Sequence, residues 1–262
     1  MKKIVLFTSN ELRHKYFMFK IVEAFGECVV KIYSEAKEYV ARDIGKNEEE
    51  NEILNWHFNL RDKMEKKYFI FDPQIKFGHL IVECGIKGIN KPEVIEELKE
   101  SNPDLILVYG SSLIKNEIIE LFPNRIINLH LGLSPYYRGS GTNFWPIYNE
   151  ELQYVGATIH YLNAGIDLGD IIKHGVPEIK QDDNQHSIGC KAIITGIEKM
   201  ISVAQDILLG KKIESVKIWG KGKLYLRKDF TSQTLIKFKK KLEQGLIKKY
   251  LSQNIEKPKL IL

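Results

Sequence analysis

An α/β fold, a mostly parallel twisted sheet flanked by helices, is predicted by three observations. The first half of the 262-residue chain alternates short apolar runs with helical patterns. One run, Leu105–Tyr109, is apolar throughout and bounded by Pro103-Asp104 and Gly110, as a parallel strand covered on both faces must be. Further on, the alternation gives way to two neighbouring runs, 154–161 and 171–178, with glycines at 165 and 169 between them to permit sharp turns.

In order along the chain, apolar residues 3–8 form a first strand, and Phe17, Phe19, Ile21 and Phe25 mark the helix after it. A second strand follows near 28–33. Residues 35–78 are rich in charge, with aromatics at Trp56, Phe58, Tyr68, Phe69 and Phe71; they are predicted to be helical, as part of a lid or a dimer surface. Residues 80–84 are a strand, and Asn90–Pro92 lead into a helix through Val94, Ile95 and Leu98. After Leu105–Tyr109, a helix over 113–121 is stopped by Pro123, and 125–129 is the next strand. A long helix spans 184–208 and ends at Gly210. Residues 216–219 and 223–226 predict a small hairpin around Gly220 and Gly222, and a basic helix over 231–251 closes the fold. The expected division is a main domain, 1–210, and a short appendage, 211–262.

Composition narrows the class. Hydrophobic content of 44% and charged content of 28% are those of a globular protein, and no apolar run approaches the length needed to span a bilayer. Met1-Lys2-Lys3 before Ile4-Val5-Leu6-Phe7 resembles a signal start, but Asn10, Glu11, Arg13 and His14 interrupt it at once; a cytoplasmic location is expected. Cys28, Cys84 and Cys190 are far apart and show no metal-ligand or disulfide spacing. Within the net charge of +5, lysines 237, 239, 240, 241, 248, 249, 257 and 259 outweigh Glu243 and Glu256. This tail fits either a solvated helix face with lysine stems over apolar surface or a patch that steers a phosphorylated partner.

The chemistry concentrates in Asn128-Leu129-His130 and, 37 residues after the histidine, Asp167 in Gly165-Ile166-Asp167-Leu168-Gly169-Asp170. An amide, an imidazole and a carboxylate can hold an oxyanion, accept a proton and tune the base between them. Ligands of open parallel sheets bind outside the carboxyl ends of the strands, where Tyr109-Gly110 and Asn128–His130 both fall.

These residues resemble the N10-formyltetrahydrofolate-dependent formyltransferase family. Asn128, His130, Pro135, Gly139 and Asp167-Leu168-Gly169 follow its Asn-x-His, proline- and glycine-containing loop and Asp-x-Gly, and His160 matches a further histidine found in many members. The resemblance runs from about Asp104 to Ile172. It implies a Rossmann-like formyltransferase fold, catalytic Asn128, His130 and Asp167, and N10-formyltetrahydrofolate as cosubstrate without a metal. It further implies a folate cradle over Tyr109, Gly110, Ser111, Ser112, Leu113 and Ile114. The run Leu131-Gly132-Leu133-Ser134-Pro135 departs from the sequence common after the histidine, at the acceptor pocket. Gly139-Ser140-Gly141 is no dinucleotide fingerprint.

Initiator-tRNA formyltransferases are similar around Gly165–Asp170 but carry a further C-terminal barrel, for which 211–262 is too short; tRNA is therefore not expected as a partner. Glycinamide-ribonucleotide enzymes place a glycine-rich phosphate loop after the first strand, where this chain has Thr8-Ser9-Asn10-Glu11-Leu12-Arg13-His14. The remaining large class formylates nucleotide-linked amino sugars for surface polysaccharide synthesis. On that reading Arg13 and His14 bind a phosphate at the first helix, and Tyr137, Arg138, Asn143, Trp145 and His160 contact the sugar or lie beside it. A homodimer fits the same reading. A formyltetrahydrofolate hydrolase and a non-catalytic folate-binding protein stay open as alternatives.

Overall fold

The computed structural model describes residues 1–36, 44–163 and 169–262. Strands β1 (Ile4–Ser9), β2 (Val29–Glu35), β3 (Ile81–Gly85), β4 (Leu105–Tyr109) and β5 (Ile126–Leu131) are parallel; β7 (Ala157–Tyr161) is antiparallel to β5, and β8 (Ile171–Gly175) is antiparallel to β7. The seven strands lie in the order β3-β2-β1-β4-β5-β7-β8. A mostly parallel sheet flanked by helices is thus as expected.

The unbroken apolar runs have a simple cause. Side chains alternate between faces of a strand, and here both faces are covered. Ile4, Leu6, Leu105, Leu107, Ile127 and Leu129 meet α1 (Leu12–Phe25) and α6 (Gln185–Leu208) on one side. Val5, Phe7, Ile106, Val108 and Ile126 meet α3 (Pro92–Ser101) and α4 (Asn116–Leu121) on the other. Helix α6 starts where Asn184 predicts: its carboxamide accepts from the His186 and Ser187 amides, while the Ser187 hydroxyl accepts from the Asn184 amide.

Four expectations are corrected. The charged segment is no lid: α2 (Glu48–Tyr68) buries Ile53, Leu54, Phe58 and Met64, and packs on α6 and on α7 (Ser232–Glu243). Most of its charged residues occupy the outer face of an amphipathic helix, while Glu65 is buried and paired with Arg13. The basic C-terminal helix is two helices, α7 and α8 (Leu246–Leu251), because Gly245 takes a left-handed φ of 80° between them. The hairpin does not form. Val216 instead bridges Ile171, and β9 (Lys223–Tyr225) pairs in parallel with β6 (Tyr137–Gly139); partners distant in sequence won over the local turn. The helix expected from 113 begins only at Asn116, leaving 110–115 as an extended loop.

Leu235 and Phe238 of α7 and Leu246 and Ile247 of α8 share one buried cluster with α2, α6 and Ile147 of α5 (Phe144–Tyr148). Among the described residues no helix is long and apolar enough to cross a membrane.

Candidate active site

The period of two along β5 puts Asn128 and His130 on one face, with Leu129 buried behind them. Asn128 is level with Val108 of β4 and opposite His160 of β7; His130 lies opposite Thr158. His160 is 2% exposed and His130 6%.

Hydrogen bonding assigns the tautomer and the amide orientation. His160 Nδ1 lies 2.8 Å from the Tyr161 carbonyl oxygen, so Nδ1 carries the proton and Nε2 is an acceptor. The Asn128 Nδ2 amide, 3.0 Å from that Nε2, therefore donates to it. Asn128 is held with its amino group along the sheet and a second N–H still to give. His130 Nε2 lies 3.2 Å from the Tyr137 carbonyl oxygen, placed to donate to it.

Asp167 lies outside the described residues. Their nearest flanks are Asn163 and Gly169, and Tyr161 N–H donates to the Asp170 carbonyl at 3.1 Å as β8 begins.

The loop over the end of β5 is fixed by two residues that sequence reading passed over. Thr158 Oγ1 donates to the Gly132 carbonyl at 2.6 Å and accepts from Ser134 N–H at 2.9 Å. His174 Nε2 donates to the Ser134 carbonyl at 2.9 Å, and its Nδ1 accepts from Ile261 N–H. Burial lowers the pKa of His174 and keeps it neutral, as this pairing requires. Neither residue carries a sequence signal beyond a polar side chain in an apolar strand.

The proposed cradle divides. The Tyr109 ring is buried between His14 and Phe17, and its carbonyl accepts from Thr8 Oγ1 at 2.7 Å. Gly110 has φ 71°, and a Cβ there would collide with His14 Nε2. His14 is thus buried, against Gly110, at the start of α1. Ser111 is half-buried, Ile114 is buried, and Leu113 projects with 71% exposure.

The substrate residues are mostly accounted for by packing. Arg13 is engaged by Glu11 and, at 2.7 Å, by Glu65, beside a recess of about 250 Å³ lined by Leu12, Arg61, Asp62 and Lys66; its charge is met by carboxylates. Tyr137 is buried, donates to Glu151 and accepts from Asn149. Trp145 stacks on Tyr225 at 4.1 Å and donates to the Ser140 carbonyl. Asn143 accepts from Gly156 N–H at 3.0 Å, which makes it a brace, and Arg138 is half-buried on β6.

The sequence model of one family, "Formyl transferase", matches residues 69–203, just over half of the chain. The chain belongs to the formyl transferase family. A methionyl-tRNA formyltransferase of Caldanaerobacter subterraneus is 34% identical over 142 residues, 51% of this chain and 45% of that protein. One from Kosmotoga olearia is 35% identical over 127 residues, 48% of this chain and 40% of that one. The matched stretch is thus less than half the length of these relatives. Among solved structures, a 4-N formyltransferase from Francisella tularensis superposes with a TM-score of 0.57 at 21% identity, covering 87% of this chain and 78% of that one. An N-formyltransferase from Helicobacter canadensis, in complex with folinic acid and dTDP-3-aminofucose, gives 0.58 at 18%, covering 91% and 80%. At these identities the likeness is one of fold.

Proposed function

We propose that this chain moves a formyl group from N10-formyltetrahydrofolate to the primary amine of a nucleotide-linked amino sugar. The observation that carries the chemistry is the oriented Asn128 beside His130 at the ligand edge of the sheet, next to the exposed Leu113 loop. The amine attacks the formyl carbon, and the carbonyl oxygen becomes an oxyanion, to which the remaining Asn128 N–H donates. His130 takes the amine proton and returns it to N10 as the carbon–N10 bond breaks. The products are a formamide and tetrahydrofolate. Asp167, near this pair in sequence pattern, raises the proton affinity of His130 on the same reading.

The acceptor class is supported by two features. Neighbours over most of the chain include an enzyme bound to dTDP-3-aminofucose. The loop after β1 has no glycine, and its Arg13 is engaged by carboxylates, which disfavours a phosphoribosyl acceptor there. The test is an assay with N10-formyltetrahydrofolate and a panel of nucleotide-linked 3- and 4-amino sugars. Formylated sugar is expected. Turnover of Met-tRNA with no product from any sugar would overturn the acceptor class, and formate release without an amine would make the chain a hydrolase.

A further inference from the structure

The loop 110–115 has no regular structure of its own, yet its backbone is pinned from outside at three residues. Ser112 N–H donates to Glu35 Oε2 at 2.6 Å, and Ser112 Oγ donates to Glu35 Oε1 at 2.9 Å. On the far side of Leu113, the Asn90 carboxamide donates to the Leu113 carbonyl at 2.9 Å and accepts from Lys115 N–H at 2.8 Å. Glu35 also accepts from Ile89 N–H at 3.2 Å, so one carboxylate joins the turn that carries Asn90 to the loop that Asn90 clamps.

Glu35 is 3% exposed, at the carboxyl end of β2. In the sheet β1 separates β2 from β4, so this side chain reaches past the end of a whole strand. Its backbone carbonyl accepts from Ser9 Oγ at 3.1 Å, which anchors that end. A buried carboxylate is costly unless its oxygens are satisfied; here three donors converge on it. What they fix is the path of the backbone on either side of the exposed Leu113.

We infer that Glu35 is the positioning residue of the formyl-folate cradle, holding Ser112 and, through the Ile89–Asn90 turn, Leu113 in the conformation that receives the flat donor. This rests on the proposed function, in which 110–114 is that cradle. The Glu35 carboxylate accepts from Ser112 and Ile89, so on this reading it acts on donor binding. Glu35→Gln leaves an amide NH2 facing donors that the carboxylate accepted, and one buried N–H loses its partner.

The experiment is calorimetric binding of folinic acid to the intact chain, with steady-state kinetics alongside. Glu35→Gln should weaken folinic acid and raise the donor KM about tenfold, the scale of one unsatisfied buried group. The kcat and acceptor KM should stay within about twofold. Ser112→Ala removes only the hydroxyl donor and should give about a threefold loss, and it serves if Glu35→Gln fails to fold. Ile247→Val, a core change on α8 in a cluster that includes no residue of the loop, lowers thermal stability and should leave donor affinity unchanged. Leu113→Asp tests the cradle itself. If Leu113→Asp weakens folinic acid while Glu35→Gln and Ser112→Ala bind as wild type, the inference about Glu35 is overturned and the cradle stands. Overturned too is a Glu35→Gln loss that Ile247→Val reproduces at equal melting temperature, since that is generic destabilisation. If Leu113→Asp binds as wild type, the cradle reading falls and Glu35 with it.

Discussion

Replacing His160 with phenylalanine keeps a ring in a buried site but removes the nitrogen to which Asn128 donates. Two magnitudes bracket the outcome. Asn128→Ala removes an oxyanion donor outright and should cost about 100- to 1000-fold in kcat. His160→Phe leaves that donor present but free to rotate, and the bond that held it is worth about 0.5–1.5 kcal/mol, or roughly 2- to 13-fold. A kcat loss of about tenfold with unchanged donor and acceptor KM is therefore expected. Single-turnover kinetics on Asn128→Ala, His160→Phe and the double variant form a thermodynamic cycle. Because His160 acts through Asn128, the double variant should be no slower than Asn128→Ala. Multiplied losses in the double variant would refute the reasoning and give His160 a contact of its own with the reacting groups.

Three further outcomes follow from the same geometry. Thr158→Val keeps the side-chain shape but strands the Ser134 N–H and Gly132 carbonyl; urea titration should show a loss of about 1–3 kcal/mol per stranded group, with a raised acceptor KM. Gly110→Ala forces a side chain onto a left-handed residue and into His14; a cost of about 1–3 kcal/mol and weaker folinic acid binding should appear together. His57 on α2 and His186 on α6 lie with ring centroids 4.4 Å apart. Burial, with Arg61 nearby, lowers the pKa of His186 to about 3, and burial lowers that of His57 well below its ordinary value. Both rings protonate first in the unfolded chain, near 6.5. Stability should then be complete above about pH 6.5 and fall as the pH drops toward 3. Melting curves between pH 4 and 8 should show a shallower acid slope in His186→Phe, and equal slopes would count against the assignment.

Much of the site was legible in the sequence because it depends on local pattern. Asn128 and His130 share a face through strand periodicity, and Gly110 ends an apolar run where a positive φ is needed. Other side chains are decided by partners far away in sequence. Arg13, Tyr137 and Trp145 have the right chemistry for a ligand, but Glu65, Glu151 and Tyr225 claim them from distant segments. A sequence marks a cation or an aromatic ring without marking what already satisfies it. The charged stretch before Tyr68 misled in the same way, since its polar face is conspicuous and its buried stripe of Ile53, Leu54 and Phe58 is read only against α6 and α7.

By itself, then, the sequence determined the seven strands of the main sheet, the long helix α6, the family and the placing of an amide and an imidazole on one strand. These follow from periodicity, turn chemistry and motif spacing, all carried within a few residues of one another or as a motif. Tertiary structure alone decided that Asn128 donates to His160, 32 residues away, because only the antiparallel register of β5 and β7 sets them opposite. It also decided that Glu35 holds Ser112 across 77 residues. Parallel strand order and crossover connections bring such groups together, and no local preference of the chain encodes which side chains will meet.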